Sequence, residues 1–354
     1  MPRIPNRTIL NAYQQDPLLP LLFQECRSLS LAKNELRWLR DRAVQVAQLN
    51  LAKRTVRSKY FIGWRGLLRS MCRARSRGLP LQYILGDQPF GNLDIRCKRG
   101  VLIPRPETET FTFHAASLIL HDMLKNGRSP TENRATCLRI LDLCTGTGCI
   151  SLLLHALIAP HVQRTSILGV DISATAIGLA RKNLIYNIRR GYLSDTALMD
   201  ITFRQGNVLD IHDIFGSSIH TGPPDVIISN PPYISQKSFR DGTTTRSVRR
   251  FEPRIALVPP KGEYMSELPL NRQEDIFYYH ILSLSFRLKT SLVVLECGDR
   301  LQGTRVAALC NDLASEFEQV GNLHICIWPA ADESMTGGDL QYSEPCVVIV
   351  QRYG

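Results

Sequence analysis

The residues with the clearest chemical meaning in this sequence are Asn230-Pro231-Pro232-Tyr233, which directly follow the apolar run 225–229. That run has the length and the β-branched content of a buried parallel strand, so the tetrapeptide begins where the strand ends. Two successive prolines fix φ, remove two N–H donors and favour extended geometry before them. The Asn230 side chain and the Pro231 carbonyl are therefore predicted to be rigid acceptors that orient a planar NH₂ group.

A second group of candidate residues lies in the loop 142–148, Asp-Leu-Cys-Thr-Gly-Thr-Gly. Its glycines at 146 and 148 let a ligand approach the backbone closely at the start of a helix. The dinucleotide fingerprint needs a third glycine where this chain has Ser151, which disfavours a nicotinamide enzyme. Asp171 ends the next predicted strand, where a carboxylate can accept both hydroxyls of a ribose; the competing interpretation is a cap for the helix that follows.

The glycine loop, the acid and the tetrapeptide each follow a predicted strand. Together they form the signature of an S-adenosylmethionine-dependent methyltransferase that acts on an exocyclic or amide NH₂. The set is more specific than any one part, because a Gly-x-Gly alone occurs in many tight turns.

The elements that must position these residues alternate between strand and helix from residue 138 onwards, a pattern typical of a doubly wound α/β sheet. Predicted strands occupy 138–143, 166–170, 201–205, 225–229 and 292–296, with a closing antiparallel pair at 323–328 and 345–351. Predicted helices occupy 150–159 and 174–187, and loops near the site are predicted at 242–250 and 259–271. The sequence therefore predicts a seven-stranded, Rossmann-like class I methyltransferase domain.

The positive charge of the chain is concentrated at its beginning. The 354 residues carry a net charge of +11, and residues 1–80 hold 16 basic and 4 acidic residues. A basic amphipathic helix is predicted over 53–77, because arginines recur at 65, 69, 73 and 77 while apolar residues occupy another side. This stripe is either a solvated face or a surface that docks on RNA, or on a partner that is acidic or bound to RNA.

These patterns predict three regions: a basic helical substrate-recognition domain over 1–80, a β-hairpin connector over 81–103 and the methyltransferase domain over 104–354. Residues 1–15 are either a poor mitochondrial presequence or an ordered first segment, since they contain Arg3 and Arg7 and no acid. The ten cysteines show no C-x-x-C pair, so reduced thiols and no zinc are expected. The longest apolar stretch, 150–159, is too short to span a membrane.

The chain resembles the HemK-type release factor glutamine methyltransferases. The resemblance rests on four blocks in that family's order, Leu-Gln-Tyr-Ile-Leu-Gly at 81–86, Gly-Val-Leu-Ile-Pro-Arg-Pro-Glu-Thr-Glu at 100–109, the segment 140–152 and Phe-Glu-Pro-Arg-Ile-Ala-Leu at 251–257. It covers essentially 80–352, and the Gln-Pro-Phe-Gly segment at 88–91 is most similar to fungal mitochondrial members. Adenine-specific DNA methyltransferases share only the tetrapeptide.

The resemblance implies a substrate, the glutamine of the Gly-Gly-Gln motif in a class I peptide chain release factor, and S-adenosyl-L-methionine as cofactor. Asn230, Pro231, Pro232 and Tyr233 would hold the glutamine, and Tyr233 either packs on its flat amide or is an aromatic residue of the core. The cofactor would be held by Cys144, Thr145, Gly146, Thr147, Gly148, Asp171, Asn207, Val208 and Asn230, with Arg105, Glu107 and Thr108 from the connector. Asn207 departs from the family's pattern, which commonly has an aspartate there, so its contact with the adenine amine would carry no negative charge.

The remaining alternatives concern activity, substrate and location. One is a protein that binds the cofactor and RNA without turnover. The tetrapeptide and the basic N-terminal region also suit an adenine-N(6) methyltransferase acting on RNA or DNA. The block ending at Glu109 favours the protein substrate, because adenine methyltransferases with this tetrapeptide lack it. The mitochondrial matrix is the expected location and the cytoplasm the alternative. The expected partners are the release factor and, through the basic helices, RNA or the ribosome, with no insertion into a membrane.

Overall fold

The computed structural model describes residues 4–52, 63–125, 137–215, 222–260, 272–317, 321–330 and 344–353. The chain forms two compact units. The first contains Met1–Gln88 and Thr245–Phe251, and the second contains Pro89–Thr244 and Glu252–Gly354. The first unit thus extends beyond residue 80, where the sequence placed the end of the first domain, and it includes a short segment from much later in the chain.

The first unit is helical. Its helices are α1 (Asn6–Gln15), α2 (Leu19–Cys26), α3 (Leu29–Ala52), α4 (Trp64–Ser76), α5 (Leu81–Leu85) and, from the later segment, α12 (Arg246–Phe251). The core joins Leu22 of α2, Leu39 of α3 and Leu68 of α4, all nearly inaccessible to solvent. Apolar residues recur three or four positions apart along α3, at 29, 32, 36, 39, 43 and 46; this spacing predicts one apolar face of a helix, and the structure confirms it, since all six are buried or partly buried.

Helix α4 separates buried from charged side chains. Leu68 and Cys72 are buried in the core, whereas the arginines at 65, 69, 73 and 77 are exposed. Arg75 instead turns inward, where Nε and Nη2 bond the two carboxylate oxygens of Glu35 at 2.8 and 2.9 Å. The helix predicted over 53–77 is confirmed within Trp64–Ser76, and 53–62 lie outside the described residues.

Residues Leu81–Leu85, which the sequence placed in the hairpin connector, form helix α5 within the first unit. Its apolar side chains, Leu81, Ile84 and Leu85, pack against the helical core. This packing favours a helix, although the glycines that follow at 86, 91 and 100 suggested that the whole segment is a hairpin. The helix ends at Gly86, whose φ of 89° is the left-handed conformation that glycine adopts readily.

The second unit is built on a seven-stranded sheet with the order β5-β4-β3-β6-β7-β9-β8. Its strands are β3 (Leu138–Leu143), β4 (Thr165–Asp171), β5 (Ile201–Gln205), β6 (Val226–Ser229), β7 (Leu292–Cys297), β8 (Asn322–Trp328) and β9 (Cys346–Tyr353). The first five are parallel, and β9 runs antiparallel to β7 and β8. All seven predicted strands are confirmed to within two residues. The strand order reverses between β3 and β6, which is where open α/β sheets bind ligands.

Helices cover both faces of this sheet, so its central strands are largely buried and mostly apolar. These are α6 (Pro106–Lys125), α7 (Cys149–Ile158), α8 (Ala174–Arg189), α9 (Ala197–Asp200), α10 (Ile211–Phe215), α11 (Gln236–Arg240), α13 (Ile276–Arg287) and α14 (Arg300–Glu316), with 3₁₀ turns at Ala159–His161, Arg254–Ala256 and Gln273–Asp275. The loop predicted near the site at 242–250 is wrong in part, because Arg246–Phe251 forms α12 in the first unit. Of the loop predicted at 259–271, residues 261–271 lie outside the described part. No helix in the described ranges is long and apolar enough to cross a membrane.

A two-stranded sheet precedes α6 and consists of β1 (Asp87–Phe90) and β2 (Leu93–Arg96). This hairpin confirms the β-hairpin of the predicted architecture. Two buried asparagines of α8 form hydrogen bonds with the backbone of β2. The Asn183 Oδ1 accepts from the Arg96 N–H at 2.9 Å, and the Asn187 Oδ1 accepts from the Asp94 N–H at 3.1 Å. The Asn183 Nδ2 donates to the Arg96 carbonyl and the Asn187 Nδ2 donates to the Asp94 carbonyl, so α8 links the hairpin to the larger sheet.

Candidate active site

One cavity of about 160 Å³ lies in the second unit and is lined by residues that follow β3, β4, β5 and β6. The predicted site residues that line it are Arg105, Thr108, Cys144, Thr145, Gly146, Thr147, Asp171, Asn207, Val208, Asn230 and Pro232. Glu107, Gly148, Pro231 and Tyr233 are not among the described lining residues. The fold therefore brings most of the predicted set, drawn from positions 105 to 232, to a single cavity at the switch point of the sheet.

The loop after β3 takes the turn that its glycines suggest. Cys144, Gly146 and Gly148 have φ values of 61°, 57° and 80°, in the left-handed region. Gly148 also has no room for a side chain, because a Cβ there would lie 2.8 Å from Cζ of Phe203 and 3.0 Å from Cβ of Ala180. This close approach sets the first turn of α7 against α8 and keeps the loop backbone open to the cavity.

Asp142 lies beneath the glycine loop and is completely buried. Its Oδ2 accepts hydrogen bonds from the hydroxyls of Thr145 and Ser151, each at 2.6 Å. Burial raises the pKa of this carboxyl to about 6, and the two hydroxyl donors oppose that rise. Ser151, whose presence argued against the dinucleotide fingerprint, thus helps to hold the loop in shape.

Asp171 stands at the end of β4, facing the loop. Its Oδ2 accepts from the Gly146 N–H at 2.9 Å and its Oδ1 from the Ser173 N–H at 2.8 Å. Burial raises the pKa of Asp171, while these backbone donors lower it. Each carboxylate oxygen can accept a further hydrogen bond, so Asp171 can receive two hydroxyls while holding the loop and the start of α8.

Asn207 lies in a tight turn after β5. Its Oδ1 accepts from the Leu209 N–H at 3.1 Å, and its own N–H donates to Oδ2 of Asp213 at 3.3 Å. The preceding Gly206 is required by space, because a Cβ there would meet the Asp213 carbonyl oxygen at 2.6 Å. The Asn207 side chain therefore builds the turn that presents Val208 and Leu209 to the cavity.

Asn230 follows β6 and is held by two residues distant in sequence. Its Nδ2 donates to the Thr108 Oγ1 at 3.0 Å, and the Thr108 hydroxyl donates to Oε2 of Glu296 at 2.7 Å. Thr108 and Glu296 are buried. Because Nδ2 is engaged on Thr108, the oxygen of the Asn230 amide is the end left for a ligand in the cavity.

Glu296 is the last residue but one of β7, a strand whose residues are all buried, and it is 3% exposed. Burial raises the pKa of its carboxyl to about 7; the Thr108 and Tyr233 hydroxyls and the charge of Arg105 oppose the rise, whereas the charge of Glu107 adds to it. Glu296 is therefore a group whose charge changes near neutral pH.

Tyr233, the last residue of the tetrapeptide, is held by contacts with residues at and beyond the end of β7. The Tyr233 ring lies on the backbone of Gly298, where a Cβ would meet Cδ2 at 2.8 Å, and its hydroxyl lies 3.5 Å from Oε1 of Glu296. Gln302 joins the two segments: its Nε2 lies 3.4 Å from the Tyr233 carbonyl, and its Oε1 accepts from the Gly298 N–H. The structure thus places the Tyr233 ring against β7 and its end, outside the cavity lining.

Arg105 enters the cavity from the segment before α6. Its Nη2 donates to Oε1 of Glu252 at 2.7 Å, and the other oxygen of Glu252 accepts from the Ile103 N–H at 3.1 Å. The Glu252 side chain is 1% exposed. The buried Glu252 carboxylate therefore holds Ile103 and Arg105, which line this wall of the cavity. Glu252 is the acid of the 251–257 block, so that block helps to position the cavity wall.

Four residues important for this geometry have no predicted role in the site: Ser151, Glu252 and Glu296, and also Asp142, which the sequence marks only as the first residue of the glycine loop. A local signal exists for two of them. Asp142 and Glu296 are each the only acid, at the last position but one, of a mostly apolar strand, and an acid in such a strand is rarely buried unless it has partners. Glu252 and Ser151 carry no comparable local signal.

The amino-acid sequence that forms this site is similar to those of known methyltransferases. A family model described as methyltransferase small domain matches residues 114–255. A Schizosaccharomyces pombe protein named "Probable MRF1 mitochondrial N(5)-glutamine methyltransferase mtq1" is 34% identical over 320 residues, which is 88% of this chain and 90% of that protein. Saccharomyces cerevisiae "Mitochondrial MRF1 N(5)-glutamine methyltransferase MTQ1" is 34% identical, covering 79% and 76%. The "Release factor glutamine methyltransferase" of Chlorobaculum tepidum is 36% identical, covering 56% and 60%.

Proposed function

This chain belongs to the release factor N(5)-glutamine methyltransferase family, and from that premise we propose that it methylates the side-chain nitrogen of the glutamine in the Gly-Gly-Gln motif of a class I release factor. The observation that carries the proposal is the position of Asn230: its amide oxygen is available in the cavity that the glycine loop and Asp171 also line. The names of the relatives favour a protein glutamine over a nucleic-acid adenine.

The cavity suits S-adenosyl-L-methionine. Asp171 can accept the ribose hydroxyls, and the open backbone of 144–148 lets the amino acid part of the cofactor approach closely. Apolar side chains, including Ile172, Val208 and Leu209, supply a surface for the adenine ring. When bound, the cofactor supplies an electrophilic methyl group on a positively charged sulfur.

The role of the protein is to orient a weak nucleophile. The lone pair of an amide nitrogen is delocalised into its carbonyl, so the amide must be held with that lone pair directed at the methyl group. The Asn230 oxygen in the cavity accepts one N–H hydrogen of the substrate amide. The Pro231 carbonyl, next to it in the chain but outside the cavity lining, is the acceptor that the tetrapeptide offers for the second, and two acceptors together would fix the plane of the amide. Positioning of this kind can lower a barrier by up to about 7–11 kcal/mol in favourable intramolecular reactions.

Mass spectrometry of the Gly-Gly-Gln peptide tests the function directly. After incubation of the release factor with this protein and the cofactor, we expect one added methyl group on the glutamine. An unmodified glutamine under saturating conditions contradicts the proposal.

Asn230→Ala tests the role of the amide. We expect kcat to fall by roughly 100-fold or more while cofactor affinity is retained, because the variant removes an acceptor for the substrate and leaves the glycine loop intact. Asn311→Ala on the exposed face of α14 is the matched control. If cofactor affinity falls together with kcat, Asn230 is a cofactor ligand or a structural residue instead.

We further propose that the first unit recognises the partner through its exposed arginines. Replacing Arg65, Arg69 and Arg73 with Gln removes three positive charges and leaves the Arg75–Glu35 bond intact. We expect the KM for the release factor to rise and its dependence on salt to flatten, because screened charge attraction is lost.

The control for charge alone replaces three exposed cations of the second unit, Lys182, Arg189 and Arg287, with Gln. It should leave KM near the wild-type value. If both triple variants behave alike, or neither changes KM, the stripe is a solvated face. Added RNA then distinguishes the release factor from RNA as the partner of the stripe. Only if the stripe docks on RNA should added RNA compete and lower the turnover of the release factor.

We propose a mitochondrial location, in the matrix. Two of the relatives carry the word mitochondrial in their names, and residues 1–15 of this chain contain two arginines and no acid. Fractionation of cells that express the tagged chain, with protease protection of intact and ruptured mitochondria, tests this. Recovery in the cytosolic fraction contradicts it.

A further inference from the structure

Glu296, Thr108 and Asn230 form a relay in which each hydrogen bond determines the direction of the next. A threonine hydroxyl has a single hydrogen. Thr108 gives that hydrogen to the Glu296 carboxylate at 2.7 Å, so its oxygen can only accept from Asn230, whose Nδ2 lies 3.0 Å away. An ionised Glu296 therefore turns the amide oxygen of Asn230 away from Thr108.

We propose that Glu296 is a positioning residue which, through Thr108, sets which end of the Asn230 amide faces the cavity. A carboxyl protonated on Oε2, the oxygen that faces Thr108, reverses both bonds: Glu296 donates to Thr108, Thr108 donates to Asn230, and the amide presents its NH₂ group to the cavity. The relay spans 188 residues between Thr108 and Glu296 and 122 between Thr108 and Asn230, so it exists only in the folded chain.

The direction matters because the substrate of the proposed function is itself an NH₂ group. An amide nitrogen with two hydrogens needs acceptors, and an Asn230 that presented its own NH₂ would place donor against donor. The reversed state loses a hydrogen bond and leaves a desolvated donor without a partner. The inference rests on the proposed function, since a substrate without an NH₂ group would not sense this polarity.

The surroundings of Glu296 allow its protonation state to change. The groups around it include Arg105 before α6, Glu107 in the first turn of α6, Tyr233 after β6 and Tyr278 from α13, whose hydroxyl donates to the Glu296 carbonyl at 2.8 Å. Three cysteine thiols, of Cys149 in α7, Cys297 in β7 and Cys346 in β9, also interact with its charge. Of these, Arg105 favours the ionised carboxylate and Glu107 opposes it. Burial is the largest influence and raises the pKa of Glu296 to about 7, so the relay operates within the range of an ordinary assay.

The first test interrupts the relay at its centre. Thr108→Val keeps the shape of the side chain and removes the hydroxyl, and Thr108→Ser restores the hydroxyl. For Thr108→Val we expect kcat to fall roughly 10- to 100-fold at pH 8 with cofactor affinity little changed. Thr108→Ser should recover most of the turnover. A Thr108→Val enzyme with wild-type kcat overturns the proposal.

The second test uses the pH profile of kcat at saturating substrate. Ionisation with a pKa near 7 makes wild-type kcat about tenfold lower at pH 6 than at pH 8. In Glu296→Gln and in Thr108→Val this ratio should approach one. Asp312→Asn, an exposed acid-to-amide change on α14, should keep the wild-type ratio.

Three outcomes are decisive. If Glu296→Gln keeps the acidic fall in kcat, another group causes it and the proposal is wrong. If Thr108→Val keeps the fall while Glu296→Gln loses it, the charge of Glu296 acts directly and not through Asn230, which also overturns the relay. If the wild-type protein methylates no glutamine at any pH, the proposed function fails; a wild-type enzyme that turns over but whose variants behave otherwise refutes only the relay.

Discussion

Position 148 requires glycine for two reasons, a left-handed backbone and a lack of space for a side chain. The free energy of unfolding that each contributes can be measured separately. The Gly148 φ of 80° is a conformation that residues with a Cβ adopt at a cost, and the place that a Cβ would take is filled by Phe203 at 2.8 Å and Ala180 at 3.0 Å. Both neighbours are buried in the sheet core, so neither can turn into solvent. Gly148→Ala should therefore destabilise the protein through backbone strain and through overpacking.

The magnitude follows from the two contributions. An alanine in the left-handed region costs roughly 1–2 kcal/mol, and forcing a methyl group into a packed core costs roughly 1–3 kcal/mol. The sum for Gly148→Ala is about 2–5 kcal/mol. Gly191→Ala isolates the first contribution, because Gly191 has a φ of 72° and no atom within 4 Å of its added Cβ. Gly178→Ala, inside α8 with open space, should stabilise by roughly 0.5–1 kcal/mol.

The assay is urea unfolding of the three variants and the wild type, followed by far-UV circular dichroism, with calorimetric titration of the cofactor on the folded proteins. We expect Gly148→Ala to lose more stability than Gly191→Ala, and to bind the cofactor more weakly because the start of α7 is displaced. If both variants lost the same free energy of unfolding, Phe203 and Ala180 would have moved aside for the added methyl group at no cost in stability. That result would refute the argument that close packing selects glycine at position 148.

Three further changes have definite expected outcomes. Arg75→Met leaves the largely buried Glu35 carboxylate without its two-pronged partner and should destabilise the first unit by roughly 3 kcal/mol in thermal unfolding. The folded chain keeps the Glu296 proton to a higher pH than the unfolded chain, so ionisation between pH 4.5 and about 7 lowers stability; Glu296→Gln should gain up to roughly 3 kcal/mol relative to wild type as pH rises through that range in urea titrations. Gly298→Ala places a Cβ 2.8 Å from Cδ2 of the Tyr233 ring and should lower kcat more than cofactor affinity, measured by turnover and calorimetry.

The strands, the glycine loop and the tetrapeptide were predictable because their signals are local. A buried parallel strand needs a short β-branched run, and residues that follow such strands reach one edge of the sheet by topology alone. This reasoning placed Asp171 and Asn230 beside the glycine loop, and the structure brings them to one cavity. The helix Leu81–Leu85 was missed because its helical state depends on packing against a core formed elsewhere in the chain.

The amino-acid sequence by itself determined the sheet, the family and the kind of chemistry, since each depends on periodicity, on turn residues or on contiguous motifs. Only the tertiary structure decided how the amide of Asn230 is oriented and which carboxylates hold the cavity. Glu296 reaches Asn230 through Thr108, and Glu252 bonds Ile103 across 149 residues. Such pairs leave no periodic trace along the chain, because a hydrogen bond between distant residues depends on where the folded backbone places them and not on their spacing in sequence.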